Sequence, residues 1–428
     1  MIQNININLE KTKKFLISSQ KENGSWIIPS NKIDHRKPPY FENPLVYTSK
    51  CVRSLIIIGG NDCFDNISKG INYCLNYKLR KEDNVALWAE KLALLNYTNS
   101  KYYNKEKKEI IYFILKNKTK EGYWPFFPDT SSLINFVAFF SLYPHINFKE
   151  FEPLKNWIKN NKAKDGIGWG DISDKNESKT THTSLYTFIL IMLGEDPTSE
   201  EMNKIRIFLE KNQNKDGGWS SSSVKPEVSS TYGTSVNLTT LMLLSKDPFN
   251  IKISKGIRFL LKLQKENGYW PIRANEEIQS YFQIWYVIRV LTIYKFLKDM
   301  LNSNKYKLYN KSVDLRHIVS NLLISRRNNL VKDFSFSYNR NIIQSKILGT
   351  TKKSSERRKE ILSILNNKSP LSLIEIFDML KEKKEFSHLN KKYHLTQIKN
   401  DIEYLLSSKL IHEYPKNKFL VFNNYLSD

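Results

Sequence analysis

The stretch LLKLQKENGYWP at residues 260–271 carries the pattern Gln-x-x-x-Gly-x-Trp, formed by Gln264, Gly268 and Trp270. The apolar residues that lead into it recur at helical spacing. The Lys-Glu-Asn-Gly turn is typical of a helix end, because glycine readily adopts the left-handed backbone that closes a helix. The stretch therefore predicts a helix that stops at a tight turn and is followed at once by a large aromatic side chain.

Four other segments of the chain have the same kind of glycine-rich turn ending in tryptophan. The pattern residues in them are Gln20 and Trp26, Trp124, Trp169, and Gln213 and Trp219. Two of these copies are incomplete, because Lys118 replaces the glutamine before Trp124 and the copy around Trp169 is irregular. With the first stretch, three complete copies remain, all in one register.

The five tryptophans are spaced by 98, 45, 50 and 51 residues along the chain. The first interval spans two periods of about 50 residues, so one copy has lost its tryptophan. The stretch KGINYCLNY at 69–77 matches the opening of KGIRFLLKLQ at 255–264 and is the candidate for this copy. The sequence therefore predicts six repeats over residues 1–298.

Each repeat predicts two helices of different character. The segment before the turn is amphipathic, whereas the segment after it is apolar on most faces, as in TSVNLTTLMLLS and HTSLYTFILIMLG. Between them lies a polar stretch whose Ser, Thr and acidic residues can cap the second helix. A helix that is apolar all round must be covered on several sides. We therefore expect an all-α fold in which six outer and six inner helices close into a double-layered ring.

The repeated pattern resembles the QW motif of squalene–hopene and oxidosqualene cyclases. These enzymes share an α/α toroid of six helix pairs with the β-subunits of protein prenyltransferases. The resemblance covers residues 1–298, and it implies that the Gln and Trp side chains connect outer helices at the rim. Such a motif identifies a fold and not an activity. The resemblance also implies that any chemistry lies where the inner helices begin, since free backbone amides there favour anions.

Class II cyclases of this family protonate an alkene or epoxide with an aspartic acid in a DxDD motif, which this sequence lacks. Such a donor is a carboxylic acid that burial keeps neutral. The candidate acids near the predicted inner-helix starts are Asp129, Asp171, Asp174, Glu177 and Glu227. Helix caps and solvated turns are the commoner roles of such residues.

Prenyltransferase β-subunits bind zinc through Asp, Cys and His, but Ser229 and Thr231 stand at the matching positions here. We therefore expect neither a metal nor another cofactor. An isoprenoid-like ligand would be lined by aromatic side chains and a histidine near the inner-helix starts. These candidates are His182, Tyr186, Tyr232, Tyr281, Phe282 and Trp285. Aromatic residues can stabilise a cation in a cavity, although such residues more often form the core.

The formal net charge of +24 favours an anionic partner such as nucleic acid, although a general abundance of lysine accounts for it equally. Cys51, Cys63 and Cys74 have neither a disulfide nor a zinc spacing. The first residues lack the apolar run of a signal peptide, and no apolar stretch is long enough to span a bilayer. These features predict a cytoplasmic protein with reduced thiols and no insertion into the membrane.

The repeats stop near residue 298. Residues 299–353 are predicted to form a basic, partly helical linker, and 354–428 a separate small domain. That domain contains three predicted helices followed by a β-hairpin in IHEYPKNKFLVFNN. This order resembles a winged helix-turn-helix domain.

In winged-helix proteins that bind DNA, the third helix enters the major groove. The resemblance implies contacts from Lys391, Lys392, Tyr393, Thr396, Gln397, Lys399 and Asn400, with Lys416 and Lys418 on the wing. Asp401 and Glu403 lie on the same predicted helix and weaken this hypothesis, because they would repel phosphates. Winged helices also dock proteins, so the sequence leaves DNA and protein partners open.

Two hypotheses about function follow. The favoured one is a noncatalytic or degenerate member of the cyclase-like toroids, acting as a binding and regulatory protein in a setting such as bacterial regulation or defence. Its toroid would hold a lipophilic ligand or a protein, and its basic tail would engage nucleic acid or another subunit. The alternative is a divergent class II isoprenoid cyclase, an isomerase or lyase, in which one of the five acids donates the proton.

Overall fold

The computed structural model describes most of the chain up to residue 302 and parts of the remainder. The described residues are 1–28, 43–59, 61–97, 103–125, 131–170, 176–221, 226–277, 280–302, 357–358, 360–365, 371–383, 386, 398–402, 405, 411–414 and 418–421. The chain divides into two compact units, Met1–Ser335 and Phe336–Asp428. The predicted linker at 299–353 lies outside the described residues beyond residue 302.

Twelve α-helices alternate between an outer and an inner layer in the described part of the first unit. The outer helices are α1 (Ile2–Ser19), α3 (Phe64–Asn76), α5 (Asn104–Lys116), α7 (Glu152–Asn160), α9 (Glu200–Lys211) and α11 (Ile251–Leu263). The inner helices are α2 (Pro44–Ile58), α4 (Val85–Leu95), α6 (Ser131–Leu142), α8 (Thr180–Met192), α10 (Thr231–Leu244) and α12 (Ile284–Asn302). Short 3₁₀ segments cover Asn61–Cys63 and Phe148–Phe151.

The inner helices form a closed circle. Each of α2, α4, α6, α8 and α10 packs against the next inner helix in the sequence, and α12 packs back onto α2. In the outer layer, α11 likewise contacts α1. The predicted all-α toroid of six helix pairs is therefore confirmed.

Burial separates the two layers as the sequence pattern predicts. In α10 every residue except Tyr232 is buried, and the helix has apolar or small polar residues on all faces. In the outer helix α3 only Gly70 and Cys74 are buried. Because lateral neighbours, the outer layer and the toroid centre surround each inner helix, no face of it needs to be polar.

Each of the five predicted tryptophans is buried behind its turn and bonds to the outer helix that precedes it. The indole N–H donates to a backbone oxygen ten or eleven residues earlier, in the last turns of that helix, where carbonyls lack intrahelical partners. The donor–acceptor distances lie between 2.7 and 2.9 Å. The bonds are Trp26 to Leu16, Trp124 to Ile114, Trp169 to Ile158, Trp219 to Leu209 and Trp270 to Leu260.

The glutamines of the three complete copies reach the next outer helix. Gln20 Nε2 donates to Asn66 O at 2.8 Å, and Gln213 Nε2 donates to Lys252 O at 2.8 Å. Where Lys118 replaces the glutamine, its Nζ donates to Glu150 O at 3.2 Å, just ahead of α7. A different side chain thus makes an equivalent connection.

The last turn closes the outer layer onto the first helix. Gln264 Nε2 donates to Asn8 O at 2.9 Å and to Thr12 Oγ1 at 2.7 Å, both in α1. Gly268 has a φ of +99°, and a Cβ at this position would lie 2.3 Å from Lys11 O. Glycine is therefore required here both by the backbone conformation and by the close approach of α1.

The second repeat has no tryptophan turn. Its turn at 80–83 is closed by an aspartate instead, because Arg80 N donates to Asp83 Oδ2 at 2.7 Å. The predicted match between KGINYCLNY and KGIRFLLKLQ has a physical basis, since Gly70 and Gly256 both lie under the tryptophan of the preceding turn. A Cβ at either glycine would come within 3.0 Å of Cζ3 of Trp26 or Trp219.

The second unit has its own small apolar core, formed by Ile361, Leu362, Ile364, Leu365, Ile376, Phe377, Leu380, Ile398, Ile402 and Leu405. Its described elements are a helical stretch at 360–365, strand β1 (Leu371–Ser372), helix α13 (Leu373–Glu382), helical residues at 398–402, and strands β2 (Ile411–Tyr414) and β3 (Lys418–Val421). The sheet is antiparallel with the order β1-β3-β2. The predicted hairpin is present, with Ile411 opposite Val421.

None of the helices in the described residues combines the length and the apolar character needed to cross a membrane. The strongly apolar stretch SSLINFVAFFSL forms the inner helix α6, whose side chains from Ser132 to Leu142 are buried.

Gly268→Ala should destabilise the first unit by about 2–3 kcal/mol, because strain at positive φ adds to the collision with Lys11 O. The matched control is Gly194→Ala, where φ is +90° and nothing lies within 4 Å of the new Cβ. The control should lose only about 1 kcal/mol from strain. Urea unfolding followed by tryptophan fluorescence measures both, and equal losses would contradict the closing role of Gly268.

Candidate functional site: a buried charged cluster at the toroid centre

Four charged side chains lie inside the toroid among the apolar inner helices. Lys50 and Arg53 come from α2, Glu90 from α4 and Arg289 from α12. The exposed fraction is 1% for Lys50, 2% for Arg53, 0% for Glu90 and 6% for Arg289. These four residues are referred to below as the central cluster. Charged residues are rarely buried to this degree unless they are paired.

Glu90 is the acceptor for two of the cations. Lys50 Nζ lies 2.7 Å from Glu90 Oε1, and Arg53 Nη2 pairs with Glu90 Oε2. Ser49 Oγ donates to the same carboxylate at 3.3 Å. Two cations and a hydroxyl group hold the carboxylate in its charged form.

Aromatic side chains surround the cations. Lys50 Nζ lies 4.6 Å from the ring centroid of Tyr286 and 4.7 Å from that of Phe282. Arg53 Cζ lies 4.5 Å from the centroid of Trp285. The negative faces of these rings attract the cations and partly replace the water that they lose.

Arg289 has a separate aromatic surrounding. Its Cζ lies 4.9 Å from the ring of Trp285, 5.4 Å from Phe188 and 5.6 Å from Phe136. Tyr232 of α10 lies beside these residues, with its ring centroid 4.9 Å from that of Tyr286. Each of the six inner helices therefore contributes at least one side chain to the cluster or to its aromatic surroundings. The cluster therefore occupies the centre of the toroid.

A small space remains among the described residues at this centre. A cavity of about 10 Å³ is lined by Lys50, Arg53, Glu90, Ala93, Phe136, Val137, Phe140, Trp285 and Tyr286. This volume corresponds to roughly one water molecule.

Burial changes the acid–base properties of the cluster. It lowers the pKa of Lys50 to about 8, even though the charge of Glu90 acts in the opposite direction. Burial also lowers the pKa of Arg289 to about 10. The pKa of the Tyr286 hydroxyl is raised, chiefly by burial. Removing these cations from water is therefore costly, and pairing offsets only part of that cost.

The five predicted acids do not join this cluster within the described residues. Asp129, Asp171 and Asp174 lie outside the described residues. Glu177 and Glu227 are described and exposed. The buried acid of the first unit, among the residues that the structure describes, is Glu90 alone.

Three of the six predicted cavity residues lie at the centre, namely Tyr232, Phe282 and Trp285. The other three lie elsewhere. Tyr186 packs against Trp157 and Trp169, and Tyr281 against Phe15 and Tyr47. The half-buried His182 has its Nδ1 2.6 Å from Ser132 Oγ.

The sequence analysis missed all four charged residues of the central cluster. The signal was present in the segments TSKCVRSLIII, VALWAEKLALL and YFQIWYVIRVL, where a charge interrupts an otherwise apolar inner helix. A charged residue at such a position is buried when the helix is covered on every face. Searching the inner helices for such interruptions would have found the cluster.

Within the described part of the chain, no group of three or more His, Cys, Asp and Glu side chains could hold a metal ion. Cys51, Cys63 and Cys74 are free and buried. Burial raises the pKa of each of these thiols, so none has the character of a reactive thiolate.

The nucleic-acid contacts predicted for the second unit fall mostly outside the described residues. These are Lys391, Lys392, Tyr393, Thr396, Gln397 and Lys416. Lys399 and Asn400 are described and exposed, and Lys418 begins β3. Asp401 is instead 2% exposed and pairs with Arg358 at 2.7 Å and with Arg357.

The family follows from a sequence comparison. The prenyltransferase alpha-alpha toroid domain matches residues 84–268 and 174–320, which together cover more than half of the chain. The chain belongs to this family. No curated protein matches the sequence.

Solved structures similar to this toroid protein share little of its sequence. The apo type II terpene cyclase MstE from Scytonema has 13% identity and a TM-score of 0.50, with 69% of this chain and 99% of that chain covered. The GH76A alpha-1,6-mannanase from Salegentibacter sp. HEL1_6 has 10% identity and a TM-score of 0.46, with 68% and 99% covered. At such identities the likeness to the cyclase concerns the fold alone.

Glu90→Gln should destabilise the toroid protein by about 3–5 kcal/mol, because Lys50 and Arg53 would keep their buried charges without a carboxylate. The control is Glu210→Gln, which breaks the partly exposed pair with Arg206 and should cost less than about 1 kcal/mol. Denaturant unfolding gives both values. Similar losses would show that the buried pair is not required for stability.

Stability should also depend on pH through Lys50. Between pH 8 and 10.5 the unfolded chain keeps a proton that the folded Lys50 has released, so the contribution of Lys50 to stability rises with pH. The difference in unfolding free energy between wild type and Lys50→Met should therefore increase by about 2 kcal/mol from pH 7.5 to 9.5.

The charged and titratable groups that face Lys50 are Glu90, Arg53, Arg289 and Tyr286. All four are present in both the wild type and Lys50→Met. Lys204→Met serves as the control, since Lys204 is exposed and Glu200 raises its pKa. The difference in unfolding free energy between wild type and Lys204→Met should stay constant over the same pH range. A constant difference for Lys50→Met would contradict the lowered pKa.

Proposed function

We propose that this protein is a noncatalytic binding protein that uses the prenyltransferase-type toroid as a rigid scaffold. The observation that carries the proposal is the pairing of Glu90, the buried acid of the described toroid centre, with two cations. Glu90 lies between Lys50 and Arg53 and forms an ion pair with each, an arrangement that favours its charged form. A class II cyclase instead needs a protonated acid at its centre, because its reaction starts with proton transfer to an alkene or epoxide.

The size of the central space supports the same proposal. Cavities that enclose small molecules usually measure about 300–1,000 Å³. The cavity among the described central residues measures about 10 Å³. A terpenoid-sized ligand needs far more room. We therefore assign binding of a partner to the outer surfaces of the toroid and to the second unit.

The alternative remains a divergent class II isoprenoid cyclase whose acid is Asp129, Asp171 or Asp174. The similarity of the fold to the terpene cyclase MstE gives this alternative its weight. It requires both an acid and a cavity formed with residues outside the described ranges.

An activity assay separates the two functions. The full chain is incubated with squalene, oxidosqualene and geranylgeranyl diphosphate, and lipid extracts are analysed by mass spectrometry. We expect no cyclised product above a heat-treated sample. A product that disappears in Asp129→Asn but persists in the matched variant Asp247→Asn, on an exposed turn, would overturn the proposal.

A second function is proposed for the C-terminal unit, namely nucleic-acid binding by a winged helix. Its helix, strand, helix, helix and hairpin follow one another in the order expected of that fold, and its sheet order is β1-β3-β2. The burial of Asp401 is the specific observation that favours this function. Its pairs with Arg357 and Arg358 withdraw the carboxylate from the surface that presents Lys399 and Asn400.

Lys399→Ala should weaken binding of the full chain to duplex DNA several-fold and reduce the salt dependence by about one phosphate contact. Lys381→Ala is the matched control, because Lys381 is exposed on α13, outside the proposed reading helix. Fluorescence anisotropy over a series of salt concentrations measures both. If the chain does not bind DNA, or if both variants behave alike, the unit has another role, such as docking a protein.

A further inference from the structure

The charges of the central cluster do not balance. Lys50, Arg53 and Arg289 are three cations, and Glu90 is one anion, so the sum over the described residues is +3 − 1 = +2. The cluster is almost fully buried, and an uncompensated charge in such a place is strongly unfavourable. A release of the Lys50 proton lowers the excess but leaves Arg289 charged.

The hydrogen bonds are also incomplete on the side of α12. Arg289 Nε and Nη1 and Trp285 Nε1 are buried and have no hydrogen-bond partner among the described groups. Arg289 is 6% exposed and Trp285 is 1% exposed. Buried donors of this kind are nearly always satisfied in folded proteins. Here all three are donors, and the Cζ of Arg289 lies 4.9 Å from the ring of Trp285.

An excess of positive charge together with unused hydrogen-bond donors favours an anion that accepts hydrogen bonds and donates none. The space specifies its size. The cavity of about 10 Å³ is lined by Lys50, Arg53 and Trp285, and it shares Trp285 and Phe136 with the surroundings of Arg289. The cavity holds about one water molecule, so a monatomic ion is the kind of anion closest to its size, whereas a phosphate or diphosphate group needs several times that volume.

We propose that the central cluster binds one small inorganic anion of the halide class, such as chloride, against Trp285 and within the field of Lys50, Arg53 and Arg289. The ion neutralises part of the excess charge and accepts hydrogen bonds from the unused donors. Because the cluster joins α2, α4 and α12, the anion stabilises the circle of inner helices. This inference goes beyond the proposed function and holds whether or not the protein is an enzyme.

Thermal unfolding of the full chain tests the proposal. The probe is sodium chloride, compared with sodium gluconate at the same ionic strength and pH 7.0. All eight tryptophans lie between residues 26 and 285, so their fluorescence reports the first unit alone. At a chloride concentration about 100 times its Kd, the Tm should rise by about 5 °C in a saturable manner.

Arg289→Met should abolish this chloride-specific rise and should increase the Tm in gluconate, because an unpaired buried cation is replaced by an apolar side chain of similar length. Arg206→Met is the matched control, since Arg206 is paired with Glu210 on the outer surface. The control should keep the full rise. Equal Tm values of the wild type in the two salts, or an equal rise in both variants, would overturn the proposal.

A crystallographic experiment on the wild type does not depend on the variants. Crystals grown in sodium bromide should show an anomalous peak within about 3.5 Å of Arg289 or Trp285 donors, as expected for a halide in contact with N–H groups. Stabilisation by phosphate but not by halide would overturn the assignment of ligand class. An acidic side chain found paired with Arg289 would overturn the site itself.

Discussion

The closure of the inner helices into a circle is the constraint on which the remaining structure depends. The inner helices are apolar on nearly every face, so none of them is stable unless it has a neighbour on both sides. The contact of α12 with α2 supplies the last neighbour. Without it, the two end helices would expose apolar faces to water, and Lys50, on α2, would lose its contact with the rings of α12.

The turns between the layers determine how the repeats follow one another. In each complete copy, the tryptophan fixes the turn to the helix before it, and the glutamine fixes it to the next outer helix. The chemistry of the second connection is flexible, because Lys118 reaches a carbonyl oxygen as the glutamines do. What these copies share is a side-chain N–H that donates to a backbone oxygen in the next outer helix or just ahead of it.

The sequence alone predicted the repeat number and the two helix types, because both follow from local periodicity, and the resemblance to known toroids implied the closure. The turns at Trp26 and Trp270, for example, can be recognised from the local sequence without knowledge of the tertiary structure. The turn at Asp83 was not predicted, since the Asp83 side chain accepts from Arg80 N the bond that a backbone carbonyl, such as Ser25 O or Tyr269 O, accepts in other copies.

The candidate site was predictable only in part. Phe282 and Trp285 were identified from their position at an inner-helix start, whereas Glu90, Lys50 and Arg289 were not. These three are separated by 40 and 199 residues, and no local pattern relates them. Their pairing depends on helix rotation and on the packing of the whole toroid. The burial of Asp401 was missed for the same reason, because its arginine partners lie on another helix.

The connection between the last turn and α1 has a consequence for how the chain is made. Gln264 bonds to residues that precede it by 256 and 252 positions. During synthesis, α1 therefore emerges from the ribosome long before its partner exists. At about 5–20 residues per second, it waits more than ten seconds with an apolar face uncovered. Contacts so distant in sequence also slow folding, because a long loop must close before they form. Helix α1 is thus made long before the bonds from the last turn secure it.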